Sequence, residues 1–325
     1  MEQKQIASLE YKIEKEYGNI AGIIVFKDDN VVYKKYFNQC SENDPIHIFS
    51  VTKSIVSMLF GIALDKGCIK NLDEKVIGFF PNYQIKKREK TIQHITIRNL
   101  LTMTAPYKYR FNPYPKYFSS EDWVISSLDF LGGRGKIGDF RYAPIIGIDI
   151  LSGILINTTG KSVLEFAQDN LFYPLGISVE KNIYFQNKQE QLDFYKSKGA
   201  NGWVADLKGT NTAGWGLSLT TMDMAKLGQL YLNEGHWNGR QVISGKWIAE
   251  STQVQSVWKA RHLKYGYLWW VIDEAEHSYA ALGDGGNAIY VNPKDRIVVA
   301  VSSLFVPGVK DRIDFIKREI EPLFK

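Results

Sequence analysis

The chain has 325 residues, of which 45% are apolar and 13% aromatic, so it is long enough to fold around a substantial core. Lys and Arg number 40 and Asp and Glu 35, which leaves a net charge of +5; the basic residues are scattered, and this predicts no nucleic-acid partner. No run approaches the roughly 20 apolar residues of a membrane span, and the first helix lacks an apolar signal core. We therefore expect a cytoplasmic protein.

The first elements follow from apolar periodicity. Ile6 to Tyr17 repeats apolar residues at helical spacing, and two strand-like runs, AGIIVF (21–26) and VVYKKYF (31–37), flank a turn. Ser50 to Leu64 is apolar on most of its circumference, which predicts a central helix ended by Gly67. Shorter helices are predicted where Thr96, Ser162 and Thr220 or Thr221 supply N-terminal caps.

The last part of the chain returns to strands. Residues 265–272, 277–282 and 287–303 are strand-like, and a charged helix, Lys310 to Phe324, ends the sequence. Since a helix and hairpin begin the chain and strands and a helix end it, both ends are predicted to build one antiparallel sheet covered by terminal helices. The fold class is therefore α+β: we expect one domain, with an α/β part (1–45 and 210–325), a mostly helical part (46–209) and a cleft between them.

Ser50 and Lys53 open the central helix. Positions i and i+3 share a face, so hydroxyl and amine can come within hydrogen-bond range. The helix dipole and an apolar setting both lower the pKa of the amine, and a neutral lysine can take the serine proton. The Ser50 backbone N–H can then face an oxyanion. The pattern predicts a nucleophile and its base.

Other interpretations of these residues stay open. S-x-x-K fixes only two residues, and Ser256–Lys259 also matches it outside any long apolar helix. Neither G-x-S-x-G nor H-E-x-x-H occurs, while a Ser/His/Asp triad using one of five scattered histidines has no spacing in its favour. Cys40 and Cys68 lack C-x-x-C spacing; we predict no metal site, and a disulfide is not required. The G-x-G-x-x-G match at 133–138 follows no strand and is interpreted as a turn.

Longer segments carry a family resemblance. The chain resembles the serine β-lactamase and penicillin-binding-protein superfamily, in particular the class C-like branch of esterases, D-amino-acid-specific peptidases and aminohexanoate-dimer hydrolases. The resemblance covers nearly the whole length and implies a β-lactamase-like fold. It rests on FSVTKSIVSMLFGIALDKG, ITIRNLLTMTAPY, TGKSVLEFAQDNLFYPLGI, AGWGLSLTTMDMAKLGQLYLNEGHWNGRQVIS and YGYLWWV.

The family's Y-x-N motif falls at Tyr142-Ala143-Pro144. By resemblance, the Tyr142 phenol shares protons with Ser50 and Lys53, acts as base in acylation and helps activate water in deacylation. Ordinary packing beside Phe140 is the alternative. Pro144 departs from the pattern, because proline offers no side-chain partner for the lysine or for a substrate amide.

The family's third motif, K-T-G or H-x-G, corresponds by resemblance to Gly283-Asp284-Gly285. Glycines there let a substrate carbonyl approach the strand and offer a second oxyanion N–H. A hairpin turn without a catalytic part is an equal alternative. Because the Lys or His of that motif is missing and Asp284 would tend to repel an anion, recognition of a β-lactam carboxylate is not expected.

Aromatic residues near the predicted cleft have two interpretations. The loop 107–118, YKYRFNPYPKYF, either roofs the cleft and selects substrates or packs as an ordinary surface loop. Trp215, Trp269 and Trp270 are predicted to belong to the core rather than to stack on a ligand.

The resemblance and the residues together predict a serine hydrolase. It would need neither metal nor cofactor and act through an acyl-enzyme on a small-molecule or short-peptide ester or amide. The alternative is a catalytically silent protein that binds a ligand or peptide in the same cleft, suggested by Pro144 and the altered third motif. A β-lactamase or cell-wall D,D-peptidase is less expected without a leader. The sequence leaves the oligomeric state open.

Overall fold

A computed structural model describes residues 3–108 and 112–325. Its strands include long ones near both chain ends and short two-residue strands in the middle of the chain. In chain order they are β1 (Ile20–Lys27), β2 (Asn30–Tyr36), β3 (Ile46–His47), β4 (Asn182–Ile183), β5 (Trp203–Val204), β6 (Ser218–Leu219), β7 (His236–Trp237), β8 (Arg240–Gln241), β9 (Ser256–Trp258), β10 (Leu263–Tyr265), β11 (Trp270–Asp273), β12 (Ser278–Gly283), β13 (Asn287–Asn292) and β14 (Ile297–Ser303).

Within the described residues, one eight-stranded sheet has the order β2-β1-β14-β13-β12-β11-β10-β9, and every neighbouring pair is antiparallel. Strand β1 from the start of the chain pairs with β14 from its end, with Val25 opposite Val299. The prediction of an antiparallel sheet built from both chain ends is confirmed.

Helices fill the middle of the chain and both of its ends. Three of them begin at a cap predicted from the sequence: Thr96, Ser162 and Thr220 each accept a hydrogen bond from the third residue of their helix. The α-helices of the described residues are α1 (Gln3–Glu16), α2 (Val51–Asp65), α3 (Ile97–Leu101), α4 (Tyr114–Phe118), α5 (Trp123–Phe130), α6 (Ile150–Thr159), α7 (Val163–Ala167), α8 (Lys188–Lys196), α9 (Thr221–Leu232), α10 (Gly245–Ser251), α11 (Arg312–Phe315) and α12 (Glu321–Phe324).

Side chains of β1 alternate between the two faces of the sheet, as a strand requires. Ile23 and Val25 join the core cluster that contains α1 and the C-terminal helices, whereas Ile24 and Phe26 join the cluster that contains α2 and α9. Both faces of the sheet are therefore covered at β1. Because its side chains are buried on both faces, the strand is an almost continuous apolar run.

Helix α2 lies at the centre of the molecule. Its residues from Val51 to Ala63 are all buried, including the polar Thr52, Lys53, Ser54 and Ser57. It packs against β12 and β13 of the sheet on one side and against α6 on the other. The N-terminus of α2 therefore lies at the boundary between the sheet and the helical segments.

Two segments differ from the sequence-based expectation. Residues 265–272 are not one strand, because Leu268 has φ of +61° and the chain turns between β10 and β11. The C-terminal helix contains a π-helical stretch, Ile316–Ile320, between α11 and α12. Residues 109–111 of the aromatic loop lie outside the described residues. The division of the chain at residues 46 and 210 stays a prediction.

In the described part of the chain, none of the helices combines the length and the apolar character needed to cross a bilayer.

Candidate active site

Ser50 immediately precedes the first turn of α2 and already has helical backbone angles, φ −70° and ψ −5°. Its hydroxyl makes no capping bond to that first turn within the described structure. Phe49, the residue before it, has φ of +49°, a left-handed conformation that costs strain in a non-glycine residue and is found at functional sites. The turn thus leaves the hydroxyl available to groups outside the helix backbone.

The side-chain nitrogen of Lys53 lies within hydrogen-bond range of three oxygens. Its Nζ is 2.8 Å from Ser50 Oγ, 2.7 Å from the Pro144 carbonyl oxygen and 2.9 Å from the Gly214 carbonyl oxygen. The side chain is only 1% exposed. Burial lowers the pKa of Lys53 to about 7, against the opposing effect of the negative charges of Asp284 and Asp149.

These three contacts are compatible with either protonation state of Lys53. An uncharged Lys53 has two N–H donors and one lone pair, and the two carbonyl oxygens accept from the two N–H groups. In the charged form a third N–H donates to Ser50 Oγ, whereas in the neutral form the lone pair at the same position can accept the hydroxyl proton of Ser50. The arrangement can remove a proton from Ser50 at neutral pH without first breaking another hydrogen bond.

Tyr142 is the third candidate catalytic residue and lies near Lys53. It lines the same cleft as Ser50, and its ring centroid is 5.3 Å from Lys53 Nζ. The ring stacks on Trp258 with the planes 7° apart and packs against Trp270 at 5.6 Å between centroids. Burial raises the pKa of Tyr142 to about 12, so the phenol is protonated at neutral pH and can donate to Ser50.

The predicted third motif is a turn at the end of β12. Gly283 closes the strand, and Asp284–Gly286 form a 3₁₀ turn in which Gly285 has φ of +76°. A Cβ placed on Gly283 would lie 2.2 Å from the Ile48 carbonyl oxygen and 3.2 Å from the Ser50 backbone nitrogen. The turn and the start of α2 are therefore in direct main-chain contact, which only glycine permits at position 283.

A cleft of about 600 Å³ opens at Ser50. Tyr142, Trp258 and Trp270 form an aromatic wall, and the Gly283–Asp284 turn forms another side. The exposed Asp284 carboxylate brings a negative charge close to the reacting groups, and this charge raises the pKa of both Lys53 and Tyr142. The remaining lining residues are Pro144, Arg261, His262, Leu263, Lys264, Val271, Ile272, Leu282, Asp311 and Ile313.

A sequence model of the Beta-lactamase family matches residues 12–318. This chain belongs to the Beta-lactamase family. This match confirms the superfamily named from the sequence motifs, and membership of the family indicates a hydrolase.

Three similar proteins fit this assignment. An uncharacterized protein of Alkalihalophilus pseudofirmus, BpOF4_21049, is 26% identical over 78% of this chain and 71% of its own length. The 6-aminohexanoate-dimer hydrolase of Paenarthrobacter ureafaciens is 20% identical over 92% of this chain and 76% of its own length. The crystal structure of a family VIII carboxylesterase superposes with a TM-score of 0.71 at 14% identity, covering 93% of this chain and 91% of that chain.

Sequence reasoning about this Beta-lactamase family member missed how Pro144 takes part in the site. Proline has no side-chain hydrogen bond to offer, but the Pro144 carbonyl oxygen accepts from Lys53 at 2.7 Å. Gly214, in the segment AGWG, supplies the second carbonyl. Neither contact leaves a signal in the sequence, since every residue carries a carbonyl group.

Several other candidates from the sequence lie elsewhere or have structural partners. The Ser256 hydroxyl, part of the second S-x-x-K match, donates to the Thr102 carbonyl oxygen at 2.7 Å on the edge strand β9. The buried His47 accepts from the Gly216 backbone N–H through Nε2, and burial lowers its pKa to about 3. Trp269 is fully buried as predicted, whereas the predicted core residue Trp270 is half-buried and lines the cleft.

Proposed function

We propose that this Beta-lactamase family protein is a serine hydrolase that forms an acyl-enzyme at Ser50. In this proposal Lys53 is the general base, and Tyr142 passes protons between Ser50 and the leaving group. The backbone N–H of Ser50 and one N–H of the Gly283–Gly285 turn stabilise the oxyanion. The substrate is a small-molecule or short-peptide ester or amide.

The observation that carries the proposal is the environment of the Lys53 amine. It lies 2.8 Å from Ser50 Oγ, its two N–H groups are directed to carbonyl oxygens, and its pKa is lowered to about 7 by burial. A general base is most effective when its pKa is close to the working pH. An amine with an unshifted pKa near 10.4 would be protonated and unable to accept the serine proton at pH 7.

The acylation step follows from these positions. Ser50 Oγ attacks the substrate carbonyl carbon while its proton passes to Lys53 Nζ, and the carbonyl oxygen becomes an oxyanion. The intermediate then collapses: the bond to the leaving group breaks, and the leaving group takes a proton delivered from Lys53 through Tyr142. The product of this half-reaction is an ester between Ser50 and the acyl group.

In deacylation, water is the nucleophile and Ser50 is the leaving group. The oxygen of a water molecule attacks the acyl carbon while the water proton passes to Lys53, either directly or through Tyr142. The Ser50–acyl bond then breaks, and Ser50 Oγ recovers a proton. Tyr142 acts as a protonated relay rather than as a free tyrosinate, because its pKa is raised to about 12.

The cleft supports an acyl or leaving group of moderate size with an apolar surface. Aromatic and aliphatic residues form most of its walls, and its volume of about 600 Å³ is within the range of small-molecule sites. The names of similar proteins, a 6-aminohexanoate-dimer hydrolase and a carboxylesterase, cover both amide and ester cleavage, so both bond types belong in the first substrate screen.

The experiment is hydrolysis of p-nitrophenyl acetate and butyrate by the wild type and by Ser50→Ala, Lys53→Ala and Ser256→Ala. The first two variants should lose about 10⁴-fold or more in kcat/KM, as removal of a nucleophile or its base does in other serine hydrolases. Ser256→Ala should keep wild-type activity, because its hydroxyl bonds only to a backbone carbonyl on the edge strand. Full activity in Ser50→Ala would end the proposal.

The alternative is a silent protein that binds a ligand in the same cleft. Two observations favour it: Pro144 offers a substrate no side-chain amide, and the Lys or His of the family's third motif is missing from Gly283-Asp284-Gly285. A fluorophosphonate probe separates the two functions. Covalent addition mapped to the peptide containing Ser50 supports the hydrolase, and an unmodified wild-type chain supports the silent protein.

A further inference from the structure

The two carbonyl groups that orient Lys53 come from different loops. Pro144 lies between Tyr142 and helix α6, and Gly214 lies between β5 and β6. Neither residue is in a helix or strand, so no ladder of backbone hydrogen bonds fixes the two oxygens relative to each other. Since the geometry of Lys53 depends on both, some other contact must hold the two loops together.

Asp149 supplies a hydrogen bond between the loops, in addition to the close packing of Gly214 against Pro144 and Ile148. It is 1% exposed and precedes the first turn of α6, five residues after Pro144 on the same loop. Its Oδ1 accepts from the backbone N–H of Ala213 at 2.7 Å, and Ala213 is directly followed by Gly214. Its Oδ2 accepts from the Tyr117 hydroxyl of α4. One buried carboxylate thus joins the loop of Pro144, the loop of Gly214 and helix α4.

We propose that Asp149 is a positioning residue for Lys53: it holds the Pro144 and Gly214 carbonyl groups in register and places a negative charge behind the amine. This inference rests on the proposed function of Lys53 as general base. Asp149 occupies the N-cap position of α6, but its side chain makes no hydrogen bond to the first turn of that helix. Its carboxylate is therefore not explained by helix capping.

The charges around the two groups give the direction of the electrostatic effect. Lys53 faces Ser50 on its own helix, Tyr142 on the Pro144 loop, Asp284 on the turn after β12, and Asp149; the two carboxylates raise its pKa. Asp149 faces Tyr117, Asp206 and Lys53. An uncharged residue at position 149 removes one of the two negative charges and must lower the pKa of Lys53.

Burial itself raises the pKa of Asp149 to about 7, while its bonds from Tyr117 and Ala213 act in the opposite direction. Loss of the Tyr117 hydroxyl removes a bond that favours the charged carboxylate. Asp149 is then protonated over a wider pH range, and the pKa of Lys53 falls again, by less than when the charge is removed altogether. Tyr117→Phe is therefore a weaker version of Asp149→Asn.

The test compares the wild type with Asp149→Asn, Tyr117→Phe and the control Asp223→Asn, after circular dichroism has shown that each is folded. Asp223 is also a buried aspartate, and its carboxylate accepts hydrogen bonds from the Thr220 backbone N–H and hydroxyl at the start of α9. Two readouts are used: the pKa of Lys53 from NMR of lysine-labelled protein, and kcat and KM with p-nitrophenyl butyrate over pH 5 to 9.

Asp149→Asn should lower the Lys53 pKa and move the acidic limb of kcat/KM to lower pH. Displaced carbonyl groups should also reduce kcat by about 10- to 100-fold with little change in KM, since misplacement of a catalytic group by about 1 Å costs this much. Tyr117→Phe should shift both readouts in the same direction by less, and Asp223→Asn should shift neither.

The inference is overturned if the Lys53 pKa in Asp149→Asn equals that of the wild type, or if the Asp223→Asn control changes it equally. A wild type that hydrolyses no ester and adds no fluorophosphonate contradicts the proposed function instead. In that case the NMR titration of Lys53 still decides whether Asp149 sets its environment.

Discussion

Replacement of Gly283 by alanine is the sharpest test of how the β12 turn meets the nucleophile. The new Cβ would lie 2.2 Å from the Ile48 carbonyl oxygen, whereas ordinary contact begins at 3.4 Å. The two main chains must therefore move apart by about 1.2 Å (3.4 − 2.2). The same Cβ would lie 3.2 Å from the nitrogen of Ser50, so the displacement falls on the backbone that would bind the oxyanion.

Two losses are expected from Gly283→Ala. An overpacked buried contact costs about 1–3 kcal/mol of unfolding free energy, which lowers Tm by roughly 1.5–4.5 °C in a chain of this size. Misalignment of one oxyanion donor costs about 10²- to 10³-fold in kcat. KM should change much less, because the cleft walls formed by Trp258 and Trp270 are not displaced.

The assay is p-nitrophenyl butyrate hydrolysis together with a thermal melt, with Gly78→Ala as the matched control. A Cβ on Gly78 meets no atom within 4 Å, so that variant should keep both Tm and kcat. Wild-type kcat in a folded Gly283→Ala protein would refute the reasoning, because it would mean that the turn can separate from Ser50 without affecting the reaction.

Further predictions concern pH, the cleft and Pro144. The acidic limb of kcat/KM should have an apparent pKa of about 7, because Lys53 must be neutral to accept the proton of Ser50. Asp284→Asn should move that limb to lower pH, since the Asp284 charge raises the Lys53 pKa. An acidic limb at unchanged pH in this variant would contradict the coupling between Asp284 and Lys53. Leu263→Trp narrows the cleft and should raise KM for p-nitrophenyl octanoate more than for the acetate; equal effects on both esters would remove Leu263 from the substrate site. Pro144→Ala keeps the carbonyl that accepts from Lys53, so its pH profile should match that of the wild type, and a profile shifted by more than the experimental error would show that the proline ring itself holds the loop.

The strands of the sheet and the central helix are largely predictable from the sequence, because the apolar pattern within each segment predicts its secondary structure. Apolar residues from Ser50 to Leu64 predict a buried helix, and the structure has α2 at Val51–Asp65. The break between β10 and β11 was not predictable from apolar pattern. The left-handed Leu268 at that break has no glycine to mark it, and its backbone N–H donates to the carbonyl of Leu101, far away in the chain.

The residues of the candidate site likewise differ in whether local sequence predicts them. The spacing of Ser50 and Lys53 identifies the pair, since two side chains one helical turn apart must meet wherever the helix lies. Tyr142 and the Gly283 turn required the family resemblance, because nothing local connects residues so far apart in sequence. The contacts of Lys53 with the carbonyl groups of Pro144 and Gly214 required coordinates.

Pro144 is one of the two departures from the family motifs that suggest a silent protein. Proline in place of asparagine could remove two functions, the support of Lys53 and a hydrogen-bond partner for the substrate, and these can be considered separately. Support of the lysine does not depend on an asparagine side chain here, because the main-chain carbonyl accepts the same donor at 2.7 Å. What proline removes is a side-chain partner for the substrate, at an exposed position on the cleft wall. Such a change acts on which substrate is bound and leaves the serine–lysine pair intact. The departure from the family motif therefore argues for altered selectivity, and an ester, which has no amide N–H to satisfy, is the substrate least affected by it.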